Sequence, residues 1–85
     1  MELRYIRDTD KREVDFVVLK DQKPLFAVEC QLKDNAISPS IPYFYERLNI
    51  PQFYLVHLGE KDYQHATLPL RVCPFYRWVH EVALP

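Results

Sequence analysis

Glycine is almost absent from this chain, since Gly59 is the only one among 85 residues. Turns that need a positive φ are therefore expected to be few, and most bends are expected at Asn, Asp and the seven prolines. Long apolar runs are also missing, and no segment approaches the roughly 18 residues of a membrane-spanning helix. The first residues, MELRYIRDTDK, lack the apolar stretch of a secretory signal, which predicts a cytoplasmic protein.

Cysteine and net charge are both low. Cys30 and Cys73 are far apart and form no CxxC pair, which favours reduced thiols over a disulfide. Cys30 alternates onto an apolar strand face and is predicted to be a core thiol. Eleven basic and twelve acidic residues give a formal net charge of −1. This balance argues against a protein that binds nucleic acid non-specifically through a strongly basic surface. It is still compatible with a nucleic-acid enzyme that has a local basic rim.

The composition predicts one small folded domain over residues 1–85, because 48% of the residues are hydrophobic and 27% are charged. The patterning predicts the order β-β-β-α-β-β-α. This order indicates an α+β (α/β) fold with a central mixed sheet and flanking helices. The predicted strands are 2–6, 13–20, 25–32, 52–58 and 70–73, the predicted helices are 40–49 and one that starts at Pro74, and 59–67 is predicted to be a polar loop.

Helical spacing of apolar residues predicts which side chains join the core. Phe44 and Tyr45 fall on the apolar stripe of the first helix, so both are predicted to be buried. Ser38 or Ser40 is expected to cap that helix. Trp78 lies on the corresponding stripe of the last helix and is predicted to anchor it to the sheet. The three histidines show no metal-ligand spacing, so a zinc site is not expected.

Carboxylates on two neighbouring strands are the strongest candidates for chemistry. Side chains alternate faces along a strand, so Glu29 and Gln31 share a face. If residues 21–23 form a three-residue turn, Asp15 lies directly opposite Glu29, whereas a two-residue turn places the two on opposite faces. Opposed carboxylates repel each other, and a Mg²⁺ or Mn²⁺ ion would offset that repulsion. The alternative is a solvent-exposed strand face that carries ordinary carboxylates.

The residues around this hairpin resemble a known family. The resemblance is carried by Arg4-Tyr5-x-Arg7-Asp8, Glu13-Val14-Asp15-Phe16-Val17, Pro24-x-x-x-Val28-Glu29-Cys30-Gln31, Ser38-Pro39-Ser40, Tyr43-Phe44-x-Glu46-Arg47-Leu48-x-Ile50-Pro51-Gln52 and Val72-x-Pro74. This pattern resembles the C-terminal domain of unknown function of prokaryotic AAA-type ATPases, which is similar to the PD-(D/E)XK nuclease fold. The resemblance covers nearly the whole chain and implies a restriction-endonuclease-like core.

The resemblance also implies roles for individual residues. Asp15 and Glu29 would be the catalytic carboxylates that bind Mg²⁺ or Mn²⁺, and the backbone carbonyl of Cys30 would complete the metal shell. Gln31 stands where the family signature has a lysine; it can orient a water molecule but cannot supply a positive charge. The chain starts on a strand instead of the usual first helix with its glutamate, and it has no GxxxxGK[ST] motif.

Two functions remain open at this stage. The first is a nuclease-like accessory domain, equivalent to the C-terminal part of a larger ATPase or acting with an ATPase partner, with weak or no phosphodiesterase activity on DNA. The chain would then be a fragment, a remnant or a short independent gene. The second is a non-catalytic interaction module, because a missing first helix leaves a sheet face or strand edge for a homodimer with an aromatic interface. Neither function predicts a membrane partner.

Overall fold

The computed structural model describes residues 2–7, 13–31, 37 and 39–83, and it describes side chains for residues 17–31, 37 and 39–82. The strands are β1 Glu2–Arg7, β2 Glu13–Lys20, β3 Lys23–Cys30, β4 Phe53–His57, β5 Tyr63–Gln64 and β6 Leu70–Pro74. The helices are α1 Ser40–Arg47 and α2 Phe75–Trp78, and α2 continues into a π-helical segment, Val79–Ala83. Within these ranges, no helix is long and apolar enough to cross a membrane.

The strands form one mixed sheet in the order β1-β2-β3-β4-β6-β5. Strands β1, β2 and β3 are antiparallel, β3, β4 and β6 are parallel, and β5 runs antiparallel to β6. This arrangement confirms the predicted α+β class and mixed sheet. The short strand β5 lies inside the segment predicted to be a loop. It was not predicted because its two residues are both exposed and carry no apolar alternation.

The turn between β2 and β3 differs from the prediction. Lys20 pairs with Lys23, so the turn has the two residues Asp21 and Gln22. Both have positive φ, 54° and 66°, as the tight hairpin turn that matches strand twist requires. A bulge at Leu25 then shifts the register by one residue. The shorter turn and the bulge cancel, so the strand faces beyond the bulge are those of the predicted three-residue turn.

Helix α1 packs on one face of the sheet over a core of buried apolar residues. This α1 core consists of Val17, Ala27, Ile41, Phe44, Ile50, Phe53, Leu55, Leu70 and Val72. Tyr45 is 42% exposed, so its predicted burial is wrong. The helix ends at Arg47, and the next residue, Leu48, takes extended backbone angles and leaves the apolar stripe. Tyr45 therefore sits at the end of a short helix, with its ring edge-on to Phe53.

The predicted side-chain cap of α1 is not formed by Ser40. The N-cap residue is Pro39, which makes no side-chain cap hydrogen bond, and Ser40 is the first residue of the helix. Ser40 is buried. Ser38, the other predicted cap, lies outside the described residues.

The opposite face of the sheet carries a second, smaller core around Trp78. This α2 core consists of Val28, Val56, Cys73 and Trp78, and the rings of Phe26 and Tyr54 pack edge-on against Trp78. Trp78 is 6% exposed, which confirms its predicted role as an anchor. Burial of a large aromatic side chain of this kind stabilises a domain by about 2–3 kcal/mol.

Candidate metal site at the carboxyl edge of the sheet

Asp15 and Glu29 lie directly after the last pair of the β2–β3 ladder. That pair is Phe16 and Val28, and Asp15 and Glu29 are the next residue on each strand. Because side chains alternate along both strands, the two carboxylate positions belong to the same face of the sheet. The Asp15 side chain itself lies outside the described ones. The backbone therefore places the two positions next to each other, at the edge where β3, β4 and β6 end (the carboxyl edge).

Glu29, Cys30 and Gln31 occupy the end of β3. Glu29 is half-buried on the face that α1 covers, and its Oε2 atom is shielded from solvent. The backbone N–H of Gln31 donates to the carbonyl of Val56 at 2.8 Å, which holds the end of β3 against β4. Gln31 is half-buried as well. The backbone that carries the Glu29 and Gln31 side chains is therefore held in place by sheet hydrogen bonds.

Cys30 points to the other face and is exposed, so its predicted place in the core is wrong. The alternation along β3 was predicted correctly, because Val28 lies in the α2 core on that face. Cys30 lies two residues closer to the carboxyl edge, where it lines a shallow groove instead. The other thiol, Cys73, is buried and also free, and burial raises its pKa.

The groove at the carboxyl edge, which we call the carboxyl-edge groove, is apolar. It has a volume of about 330 Å³ and is lined by Cys30, Gln31, Val56, His57, Leu58 and Phe75. Leu58 is 70% exposed, which makes it the most exposed of the large hydrophobic residues whose side chains are described. Apolar side chains exposed next to each other are typical of a surface that another molecule covers.

His57 is fully buried at the same edge, and its ring forms hydrogen bonds with the backbone of the loop that follows β4. Its Nδ1 atom accepts the backbone N–H of Gly59 at 2.9 Å. Nδ1 therefore carries no proton, and Nε2 donates to the carbonyl of Lys61 at 2.8 Å. Both ring nitrogens are committed to backbone groups, so this histidine holds a loop in place and is not a free metal ligand.

A cluster of charged residues fastens the loop after β4 to β6 and to the last helix. Arg71 donates to both oxygens of Asp62, from Nε at 3.1 Å and from Nη2 at 3.0 Å. Arg71 Nη2 also contacts Glu81 at 2.9 Å, and Arg77 Nη1 contacts Asp62 at 2.7 Å. The hydrogen bond from Arg71, followed by that from Arg77, holds the pKa of Asp62 below its usual value against the effect of burial. Asp62 reciprocally raises the pKa of Arg71.

Sequence analysis did not predict this charged cluster. Asp62 directly precedes β5 and Arg71 lies on β6, and because β5 was not predicted, the sequence offered no register in which to pair them. Only the short strand β5, which returns the chain alongside β6, brings them together. The sequence shows the four charges but carries no local signal for their pairing.

The described side chains alone do not form a metal centre. Among them, no three His, Cys, Asp or Glu side chains lie close enough together to hold a metal ion. The predicted ligand set includes Asp15, whose side chain is outside that range, and a backbone carbonyl, that of Cys30. The roles of Asp15, Glu29, Cys30 and Gln31 in metal binding and catalysis therefore stay predictions.

Comparison with protein families identifies a family for this chain. The family model of a domain of unknown function, DUF4143, matches residues 1–78. No curated protein and no solved structure matches the chain significantly.

Proposed function

The chain belongs to the DUF4143 family, a family defined by a domain of unknown function, and we propose that it is a nuclease-like accessory domain with a divalent-cation site at the carboxyl edge. Asp15 and Glu29 bind Mg²⁺ or Mn²⁺ with the carbonyl of Cys30. Gln31 orients a water molecule beside the metal. The substrate class is DNA, and hydrolysis is weak or absent. The domain works with an ATPase, in the same chain or as a separate partner.

One observation carries this proposal. The described ladder between β2 and β3 ends at Phe16 and Val28, so Asp15 and Glu29 are neighbouring positions on one sheet face. Like charges at neighbouring strand positions destabilise a sheet unless a counter-charge is present. Carboxylate and carbonyl oxygens are the ligands that Mg²⁺ and Mn²⁺ prefer, so a divalent cation fits this position chemically.

The order of the elements supports the same proposal. A β2–β3 hairpin leads through α1 to β4, which lies parallel to β3. This order is what the resemblance to the PD-(D/E)XK fold implies. Ligands of open sheets with parallel strands commonly bind at the carboxyl ends of those strands, which is the edge where Glu29 and Gln31 lie.

The low expected activity follows from Gln31. A metal ion held by Asp15 and Glu29 would polarise the scissile phosphate and lower the pKa of a bound water. A lysine at the Gln31 position would stabilise the negative charge that develops in the transition state, whereas the neutral amide of glutamine provides only hydrogen bonds. Metal binding is therefore the property to measure before hydrolysis.

A metal titration by thermal unfolding tests this proposal. At a metal concentration ten times Kd, wild type should gain about 1.4 kcal/mol, or roughly 6–10 °C in melting temperature. Asp15→Asn and Glu29→Gln should abolish that gain. Asp21→Asn is the matched control, because it removes a carboxylate from the opposite end of the same hairpin and should leave the gain intact. A gain that survives in Asp15→Asn, or no gain in wild type, contradicts the proposal.

A specific observation favours a second candidate, a dimerisation module that pairs two copies of this chain. The carboxyl-edge groove places the projecting side chain of Leu58 next to an apolar depression lined by Cys30 and Phe75. Under two-fold symmetry, Leu58 of each copy inserts into the groove of the other, and both contacts form at once. Phe75, which lines the groove and is exposed, adds the aromatic surface that such an interface uses.

Light scattering at tens of micromolar tests the dimer. Wild type should have the mass of two chains, and Leu58→Lys should have the mass of one. Tyr63→Lys, which changes an exposed apolar residue on β5 away from the groove, should leave the dimer intact. A monomeric wild type refutes the dimerisation module and leaves the proposal of a metal site unaffected.

A further inference from the structure

A larger groove lies at the opposite edge of the sheet, where β3, β4 and β6 begin. This amino-edge groove has a volume of about 1070 Å³. Its apolar walls include Pro24, Tyr45, Leu48, Pro51 and Pro69, and Tyr45 and Leu48 are exposed within it. It is well separated from the carboxyl edge, because the parallel strands lie between the two.

Proline marks the start of every parallel strand that borders this groove. Pro24 is at the start of β3, Pro51 precedes β4 and Pro69 precedes β6. Proline has no N–H and a fixed φ, so these three residues offer a ligand no backbone donor. Thr67 and Leu68 direct their backbone N–H groups inward to Nδ1 of His65, at 3.1 Å each. The lining of the groove is therefore mixed, with apolar proline and side-chain walls beside polar surface.

Lys23 is the only charged residue among the described residues that line the amino-edge groove. No carboxylate among the described side chains forms an ion pair with it. Its cross-strand partner is Lys20, a second exposed lysine, so the nearest paired position repels rather than neutralises it. The groove thus combines apolar walls with one positive charge at its rim, and the polar side chains of Asn49 and Thr67 lie in the same lining.

We propose that the amino-edge groove binds a small amphiphilic carboxylate. The apolar body of the ligand lies against Tyr45, Leu48 and the prolines, and its carboxylate pairs with Lys23. Binding pockets for small molecules are concave and combine apolar surface with polar groups that fix the orientation of the ligand. The lining of this groove offers both kinds of surface, as an amphiphilic ligand requires.

An NMR titration of the whole chain with octanoate tests this site. Octanoate should give saturable amide shift changes confined to residues 48–50 and 66–68, with a Kd in about the millimolar range for so small a ligand. Lys23→Gln should weaken binding about tenfold, because it removes a charge-assisted hydrogen bond. Octanol, which has the same apolar chain without the charge, should bind wild type about as weakly as octanoate binds Lys23→Gln.

Lys20→Gln is the matched control, since Lys20 lies opposite Lys23 on the same hairpin and does not line the groove. It should leave octanoate binding unchanged. If Lys20→Gln and Lys23→Gln weaken octanoate binding equally, the ligand is attracted by the general positive charge of the hairpin, and the proposal is overturned. Shift changes at the carboxyl edge, or none that saturate, overturn it too. An acidic peptide that perturbs residues 48–50 and 66–68 while octanoate does not also overturns it, because the groove then serves a different class of ligand.

Discussion

The two faces of the sheet are closed in different ways. On the α1 face, buried apolar residues from four strands, one helix and one loop form the core. On the α2 face, the core comprises four buried residues among the described side chains, and the helix that covers it is four residues long before its π-helical continuation. The charged cluster around Asp62 compensates for that small core by fastening the last helix to β6. The α1 face should therefore resist changes in pH and salt, and the α2 face should not.

The largest expected effect lies on the α1 face. Phe53→Ala removes a side chain that is 1% exposed at the centre of that core. Truncation of a buried phenylalanine costs about 3–5 kcal/mol, a large share of the stability of an 85-residue domain. Urea denaturation at neutral pH should show most of the variant unfolded or a sharply lower midpoint. A loss below 1 kcal/mol would mean that the α1 core is not the main source of stability.

Trp78→Ala is the corresponding change on the α2 face. It should cost about 3 kcal/mol, less than Phe53→Ala, because Trp78 sits in the smaller core. Circular dichroism should show that the sheet survives while the last helix is lost. A loss of the entire fold in one step would show that the two faces are energetically inseparable and would remove the contrast between them.

Asp62→Asn should give a smaller loss that depends on pH. At neutral pH the variant should be destabilised by about 1–2 kcal/mol, because Asp62 is partly exposed and its ion pairs are partly screened. The folded-state pKa of Asp62 lies below its usual value of 3.8. Its contribution is therefore complete above that value and is lost as the pH falls through the lower, folded-state pKa. When unfolding is measured from pH 7 to pH 2, the free energies of unfolding of wild type and Asp62→Asn should become equal only at acidic pH.

Trp78 provides a local readout for that comparison, since it is the only tryptophan in the chain. Its fluorescence should respond to Asp62→Asn or to added salt before circular dichroism reports unfolding of the sheet. Glu46→Gln, an exposed carboxylate on α1, is the control and should change neither signal. An equal response to the two substitutions would contradict a special role for the charged cluster.

The smallest expected effect lies outside both faces. Gln22→Gly relieves a positive φ in the β2–β3 turn and should stabilise the domain by about 0.5–1 kcal/mol. Because the hairpin contributes to both faces, thermal unfolding followed by Trp78 fluorescence and by circular dichroism should shift equally. A destabilised variant would show that the Gln22 side chain contributes more than its backbone strain costs.

Local patterns predicted much of the fold. The Val- and Phe-rich segments gave β2 at its observed bounds, and the apolar spacing placed Trp78 in the core. The period of two along β3 assigned Val28 and Cys30 to one face correctly. It could not predict that Val28 is buried and Cys30 exposed, because that depends on how far α2 extends over the sheet.

The hairpin shows a subtler limit. The predicted turn length was wrong, yet the predicted strand faces near Asp15 and Glu29 match the ladder that ends beside them. The bulge at Leu25 directly follows Pro24 within β3. Proline occurs both at strand starts and at bulges, so Pro24 did not distinguish a bulge from the start of the strand. The shorter turn and the bulge shift the register in opposite directions, and only the observed pairing of the strands shows that these shifts cancel.

The sequence by itself determined the α+β class, the main strands and the shared face of Val28 and Cys30, because each depends on neighbours within a few residues. The tertiary structure decided the exposure of Cys30 and Tyr45, the pairing of Asp62 with Arg71, and the groove between Pro24, Pro51 and Pro69. These features join segments that are distant along the chain. They follow from the order in which the strands assemble, which local propensity does not encode.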